Sequence, residues 1–335
     1  MNILYTLNEN YLPHLAASLC SLCENNKGAE NITFHIISLG ISNEGKQKIS
    51  DLCNRYQRNF VFYEFGDMRE KLKGEYDTGG FDTSVLSRLF VGSTVPRELD
   101  RILYLDCDTI IIDDISKYYN IDFCGKVIAA VPEPVITASR RGTLGMQPEC
   151  DYYNAGVLLF NLDVWRNEDC EEKVINYFLE NWKNLPGNDQ DAINACFKNR
   201  IVTVPPKYNY GSYNLYYPYK LLKKLAGASS YVTKEEYDDS KANPAIIHYL
   251  GEERPWRIGN THPYSNEYIK YLSMTPWHDF QLETGWKGYF FCFRIFNAVT
   301  RHLPALRYHI IDSLIPAFMR YRSRKLKNKT NGTKA

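Results

Sequence analysis

Asp106 and Asp108 stand two residues apart in RILYLDCDTIIIDDI, residues 101–115. Side chains alternate along an extended chain, so carboxylates at this spacing project from one face. The run Ile102-Leu103-Tyr104-Leu105 before them reads as a short buried strand that ends where the acids begin. Two negative charges at the carboxyl edge of a sheet repel one another unless a cation lies between them. A hard divalent ion, which prefers oxygen ligands, is the simplest bridge. A D-x-D alone also occurs in solvated turns; the buried strand ahead of it is what points to chemistry. Asp113 and Asp114 follow a second apolar run and read as turn and helix-cap residues.

The elements that must position this pair are legible upstream. Asn2 to Leu7 reads as a strand, then a helix from Tyr11 to Asn26 with Leu12, Leu15, Leu19 and Leu22 at helical spacing. A strand at Ile32 to Leu39, a helix from Asn43 to Tyr56 capped by Ser42, and a strand at Phe60 to Phe65 complete two βαβ units. That pattern predicts an α/β fold with a parallel sheet covered on both faces and ligands beyond the carboxyl ends of its strands. Thr6 to Asn10 should then share an edge with Asp106 to Asp108. Residues 68–81 and 140–150 are polar or Gly-containing and read as mobile loops, and Asp82 or Thr83 as a cap for a helix carrying Arg88. Further strands are expected at Lys126 to Val131, Val157 to Leu162, Ile201 to Val204 and Ala245 to Tyr249, with one helix over Asp163 to Trp182.

The formal net charge of +1 hides an asymmetry. From Gly285 onward eleven Lys and Arg face one acid, Asp312, so the tail is strongly basic and the rest of the chain acidic. Arg294, Asn297 and Arg301 fall on one helical face of this tail, and Tyr289, Cys292, Phe296, Val299 and Leu303 on the other. Basic charge beside grouped aromatics fits a helix lying on an anionic membrane surface; two helices packed on the body are the plainer reading. Stacking platforms for nucleic acid would interleave the aromatics with the charges, so no nucleic acid is expected as a partner. The nine cysteines, Cys20-x-x-Cys23 included, read as reduced thiols of a cytosolic protein. The start lacks a signal-type segment, and no apolar run reaches the roughly 20 residues needed to span a bilayer. The expected location is cytoplasmic, at the inner face of the membrane.

Asn8 to Tyr11, the Asp106/Asp108 pair, Asn154-Ala155-Gly156 and His248 share the predicted edge, and the longer motifs RILYLDCD, YYNAGVLLFNLDVWR, GNDQDAIN and HYLGEERPW follow one another along the chain. In this order and at these intervals, over about Met1 to Trp256, they resemble the family 8 retaining glycosyltransferases, in particular bacterial enzymes that build lipopolysaccharide cores. The resemblance implies a Rossmann-like nucleotide-sugar-binding sheet of the glycosyltransferase A type, here with a helical, basic C-terminal extension. It implies a catalytic domain over residues 1–275 and a tail over 276–335.

It also implies roles. Asp106, Asp108 and His248 would hold Mn²⁺, or Mg²⁺, an O,O,N set that suits Mn²⁺ well. His248 by itself could equally be a satisfied strand-end histidine. Thr6, Asn8, Asn10, Tyr11 and Cys107 would bind the donor, Asn8, Asn10 and Tyr11 at its nucleoside with Tyr11 stacking on uracil; an Asn-rich turn capping a helix is the structural alternative. Asn8 stands where relatives often carry an aspartate. Arg88 would lie near the donor phosphate and sugar, although a lone helical arginine is commonly solvated. Gly251 would permit close approach to the diphosphate, and Arg254, where the family usually has lysine, would clamp it. Asn154 and Ala155 would line the sugar pocket or merely form a turn. Asp189 and Gln190 would contact the sugar hydroxyls and the anomeric face, Asp189 being alternatively a helix-start acid. Glu133 would meet the acceptor, or be a surface turn between prolines.

The function so implied is retaining transfer of galactose or glucose from a UDP-sugar to a glycan or lipid-linked oligosaccharide. With Gln190, a poor nucleophile, at the position facing the anomeric carbon, front-side attack is favoured over a glycosyl-enzyme. The alternatives are a metal-dependent sugar-nucleotide hydrolase and a catalytically silent glycan-binding protein; the intact Asp106, Asp108 and His248 argue against the latter.

Overall fold

A computed structural model describes residues 1–79, 81–227, 231–315 and 317. Its centre is a seven-stranded sheet built from β1 (Asn2–Leu7), β2 (Thr33–Ser38), β3 (Asn59–Glu64), β4 (Arg101–Leu105), β6 (Ile128–Pro132), β7 (Tyr153–Asn161) and β8 (Ile201–Thr203), in the order β3-β2-β1-β4-β7-β6-β8. The short β5 (Thr109–Ile111) and β9 (Ile246–His248) form a separate antiparallel pair.

The two βαβ units are present: β1, β2 and β3 are parallel, and β4 joins β1 in parallel on its other side. After β3 the chain therefore crosses back over β1, which opens a crevice at the carboxyl ends of β1 and β4. The sheet as a whole is mixed, not parallel as expected. β7 runs antiparallel to both β4 and β6. A strand buried on both faces is a continuous apolar run, and such a run carries no record of direction. The direction has a consequence for chemistry: it brings the start of β7, not its end, to the edge where β4 finishes. Leu105 pairs with Val157, and Asp106 N–H donates to Gly156 O at 2.7 Å.

Alternate residues of the strands fill two cores. Leu4, Ile102, Tyr104, Leu158 and Phe160 face one, and Ile3, Tyr5, Leu103, Val157 and Leu159 the other. On the second face the helix Leu12–Asn25 buries Leu12, Leu15, Leu19 and Leu22. Each such leucine stabilises the fold by about 1.5–3 kcal/mol, and together they fix the entry of the chain at Asn8 to Tyr11.

Three local expectations are corrected. Both segments read as mobile loops contain helices: Met68–Leu72, capped by Asp67 with Met68 and Leu72 buried, and Ala138–Thr143, capped by Thr137 with Arg141 buried. The single helix expected over Asp163 to Trp182 is two, Leu162–Asn167 and Cys170–Asn181, separated by Asp169 at φ +52°. In the tail helix Lys287–Thr300 it is Phe290 and Thr300 that are buried, while Phe291, Ile295 and Val299 are exposed. On the packed-helix reading Asn297 should face out and Cys292 and Val299 in; instead Asn297 accepts from Arg307, and Cys292 and Val299 face outward. The reason is tertiary. Arg307 and Tyr308, on the following helical stretch 304–315, return to the body and pull the 293–297–300 stripe inward with them. The basic end Arg320 to Lys329 lies outside the described residues.

Candidate active site

β4 delivers Asp106 and Asp108 where its pairing ends, and the β5–β9 pair delivers the histidine. His248 lies opposite Thr109, and Tyr249 N–H donates to Asp108 O at 3.0 Å. His248 Nε2 thereby stands 3.2 Å from Asp108 Oδ1 and 3.7 Å from Asp106 Oδ2. One donor atom from each of the three residues lies within 4.8 Å of the others. The expected trio is assembled.

The tautomer of His248 follows from its surroundings. Gly156 N–H can only donate, and it donates to Asn154 Oδ1 at 2.9 Å. The Asn154 amide nitrogen then points to the Glu133 carboxylate, 2.9 Å away. Asn209 must therefore offer its own NH₂ to Asn154 Oδ1, at 2.8 Å, and turn its oxygen to His248 Nδ1, also at 2.8 Å. An oxygen there requires a proton on Nδ1, so Nε2, the nitrogen facing the two carboxylates, is the one left to ligate a cation. Sequence reasoning misses Asn209. The available signal is a polar amide inside an aromatic stretch directly after Pro205-Pro206, a position that demands a partner if buried.

Gly156 is needed for this approach. A Cβ at 156 would lie 2.2 Å from His248 Cε1 and 2.8 Å from Asp106 Oδ2. Two carboxylates, one imidazole nitrogen turned toward them and a glycine cradle fit a divalent ion such as Mn²⁺. Burial, together with the Asp108 charge, raises the Asp106 carboxyl, with Arg88 and His248 opposing. Burial also acts to raise Asp108, but Arg254, His248 and its hydrogen bonds outweigh it and hold that carboxyl low. Arg254 Nη1 is 2.8 Å from Asp108 Oδ2, so the chain places a positive charge of its own beside the pair.

Arg88 is buried, not solvated, and ties Asp106 to Asp189. It lies 3.2 Å from Asp106 Oδ1 and 3.0 Å from Asp189 Oδ2, and it donates to Ala155 O. Its Nε–H is directed at Val85 O, so Asp189 Oδ2 is a buried oxygen that receives no hydrogen bond among the described residues. Burial lifts the Asp189 carboxyl to about 6, against the pull of Arg88. Gln190 is fixed on both ends: its oxygen accepts from Ala155 N–H at 2.9 Å, and its nitrogen donates to Glu133 Oε2 at 3.0 Å and Tyr152 OH at 3.1 Å. Asp191 is engaged by Arg140, Tyr152 and Gly187 N–H. Glu133 is thus tied to Asn154 and Gln190 and is not a free surface turn.

At the β1 end, Asn8 caps the short helix Glu9–Tyr11 through Asn10 N–H and donates to Asp82 at 2.6 Å. Its amide is occupied at both ends. Asn10 is exposed and Tyr11 half-buried. Thr6 is buried beside Ser84 and Tyr104, and the Cys107 side chain turns away from the acids into the core toward Thr6 O. Gly251 adopts φ +72°, a left-handed conformation that favours glycine, and leaves open space around it.

The family model for glycosyl transferase family 8 matches residues 2–258. The chain belongs to glycosyl transferase family 8. General stress protein A of Bacillus subtilis is 27% identical over 281 residues, covering 83% of this chain and 95% of that protein. Lipopolysaccharide 1,2-glucosyltransferase of Escherichia coli is 27% identical over 282 residues, covering 83% and 79%. Lipopolysaccharide 1,3-galactosyltransferase of Salmonella typhimurium is 25% identical over 287 residues, covering 82% and 79%. Among solved structures, the galactosyltransferase LgtC in complex with donor and acceptor sugar analogues superposes with a TM-score of 0.71 at 21% identity, over 86% of this chain and 99% of that one. The mixed sheet of this family 8 glycosyltransferase is thus the sheet of a glycosyltransferase A fold. Among the described residues no helix is long and apolar enough to cross a membrane.

Proposed function

We propose that this family 8 glycosyltransferase moves galactose or glucose, with retention, from a UDP-sugar to a hydroxyl of a glycan acceptor in the synthesis of lipopolysaccharide or another surface polysaccharide. The observation that carries the reading is the trio Asp106, Asp108 and His248, with the imidazole proton held on the far nitrogen by Asn209. The activities named for the Escherichia coli and Salmonella relatives support the substrate class. Residues 1–275 form the catalytic part and residues 276–335 the tail.

Mn²⁺, with Mg²⁺ as the alternative, would be held by the trio, and when bound it supplies charge neutralisation for the diphosphate. Tyr11 stacks on uracil, Asn8 and Asn10 meet the nucleoside, and Thr6 and Cys107 offer backbone. Gly251 admits the diphosphate and Arg254 swings from Asp108 to clamp it, while Arg88 supports its sugar end. Asp189 Oδ2, buried with no hydrogen-bond donor among the described residues, accepts a sugar hydroxyl beside Asn154 and Ala155. Glu133 orients the acceptor.

Retention by double displacement needs a free carboxylate at the anomeric carbon. Asp191 is consumed by Arg140, Tyr152 and Gly187 N–H, Asp189 is paired with Arg88, and Gln190 is an amide. Front-side attack, with the departing diphosphate taking the acceptor proton, uses only the positioning these contacts provide. The test incubates the protein with Mn²⁺, ¹³C-labelled UDP-galactose or UDP-glucose and an acceptor panel, and reads the anomeric carbon by NMR. An acceptor-dependent α-linked product is expected. Release of free sugar regardless of acceptor would replace transfer by hydrolysis.

The tail would hold the enzyme on the cytoplasmic face of the membrane, where lipid-linked acceptors lie. Phe291, Ile295 and Val299 recur at helical spacing and are exposed, with Leu303 and Leu306 beyond them. Ile295→Glu with Val299→Glu is expected to abolish sedimentation with phosphatidylglycerol vesicles while donor turnover in solution persists. Unchanged sedimentation would refute the membrane role.

A further inference from the structure

Between the tail helix Lys287–Thr300 and the short helix Ser212–Tyr216 lies a cleft of about 390 Å³. Arg307 and Arg301 line it, and no acidic side chain does. Arg307 is only 3% exposed. Its guanidinium lies 4.0 Å from the centre of the Tyr216 ring and 4.9 Å from that of Phe296. One nitrogen donates to Asn297 and Thr300, but Nε–H has no acceptor among the described residues. Arg307 also makes no ion pair among the described residues. A buried charge is ordinarily paired, because desolvating it alone is costly. The aromatic rings compensate in part. Glu253, the acid across Tyr216, accepts from the Tyr216 hydroxyl; burial raises its carboxyl and the Arg307 charge pulls against that, but the two form no ion pair within 4.0 Å among the described residues.

We infer that this cleft is an anion site for a phosphate group, with Arg307 at its floor and the exposed Arg301 at its mouth. Guanidinium groups presented at two depths suit a phosphate's three oxygens. The phosphate can belong to a lipid headgroup or to a soluble phosphorylated sugar; the chemistry recognised is the same. The site stands apart from the donor site and does not depend on the donor's identity. It adjoins that site mechanically, however. Tyr216 forms its wall and holds Glu253, in the loop that carries Gly251 and Arg254.

The test measures inorganic phosphate binding to the full chain by isothermal titration calorimetry, and sedimentation with phosphatidylglycerol against phosphatidylcholine vesicles. Arg301→Gln removes the mouth charge, and Ala298→Glu places a carboxylate in the cleft; both positions are exposed and leave the core intact. Arg307→Gln removes the floor, and its folding is checked by circular dichroism. Each of the first two variants is expected to weaken phosphate binding about tenfold, the loss of one charge-assisted contact. Phosphate bound at the donor site is common to all the proteins and cancels in the comparison. A parallel loss of phosphatidylglycerol binding identifies a lipid headgroup as the source. Loss of phosphate binding with vesicle binding intact identifies a soluble phosphate compound. Phosphate affinity within twofold of wild type in both Arg301→Gln and Ala298→Glu overturns the site, whether or not Arg307→Gln folds.

Discussion

Replacing Asn209 by leucine removes the oxygen that keeps the proton on His248 Nδ1 and leaves the rest of the site in place. Asn209 is fully buried and makes two side-chain contacts, to His248 at 2.8 Å and to Asn154 at 2.8 Å. Asn154 keeps its bonds to Gly156 N–H and Glu133, so the loss falls mainly on the imidazole. Without an acceptor at Nδ1, the proton is free to move to Nε2, and the ring loses both its orientation and its lone pair toward Asp106 and Asp108. Loss of such a supporting contact weakens metal binding by about 10–100-fold, or roughly 1.4–2.8 kcal/mol. Asn209→Asp separates orientation from packing: its carboxylate still accepts from Nδ1 but meets Asn154 Oδ1 as acceptor against acceptor. Free Mn²⁺ measured by electron paramagnetic resonance during titration, with UDP present, gives the affinity directly. Wild type is expected to bind most tightly, Asn209→Asp less so and Asn209→Leu least. Equal affinities for wild type and Asn209→Leu would refute the tautomer argument.

Gly156→Ala puts a methyl 2.2 Å from His248 Cε1, so either the imidazole or β7 must shift. A cost of about 1–3 kcal/mol in denaturant unfolding is expected, with loss of Mn²⁺ binding. Arg254→Gln frees the Asp108 oxygen that Arg254 holds at 2.8 Å. Mn²⁺ alone is then expected to bind more tightly and UDP with Mn²⁺ more weakly, both by calorimetry; a change of the same sign in both would contradict the clamp. His14 is buried against Trp256 at 3.8 Å between ring centres, and burial, with Arg254, pushes it down to about 3 from 6.5. The folded state keeps it neutral, whereas the unfolded chain takes up its proton below pH 6.5. Its contribution is therefore complete above that pH and is lost as pH falls toward 3, at about 1.4 kcal/mol per unit. His14→Gln should lessen the pH dependence of unfolding free energy between pH 6 and pH 4 by that slope; an unchanged slope would rule this out.

The residues that bear chemistry are easier to read than the frame that carries them. Asp106 and Asp108 follow a strand whose burial is written in its side chains, and His248 closes another strand ahead of a segment marked by Gly251 and Trp256. The β1 to β3 units follow from the alternation of apolar runs with amphipathic helices. The direction of β7 does not, because Val157 to Phe160 are buried on both faces and read alike in either sense. Arg140 reads as a loop residue, since its partner Asp191 lies far along the chain and only tertiary packing brings the two within 2.9 Å. The inner face of the tail helix is not legible for the same reason: periodicity identifies a stripe, and Arg307 decides which stripe turns inward. Asn209 leaves only the trace of a polar amide in an aromatic stretch, because its worth lies in a chain of amide orientations that starts at the Gly156 backbone N–H.

The central claim is that one divalent ion sits among Asp106, Asp108 and His248. The most direct measurement is an anomalous-scattering map from crystals grown with Mn²⁺ and UDP. A single strong peak bonded to oxygens of both aspartates and to His248 Nε2 is predicted, absent from crystals of Asp108→Asn prepared identically. UDP bound with no peak at that position, or a peak coordinated by other side chains, would contradict it.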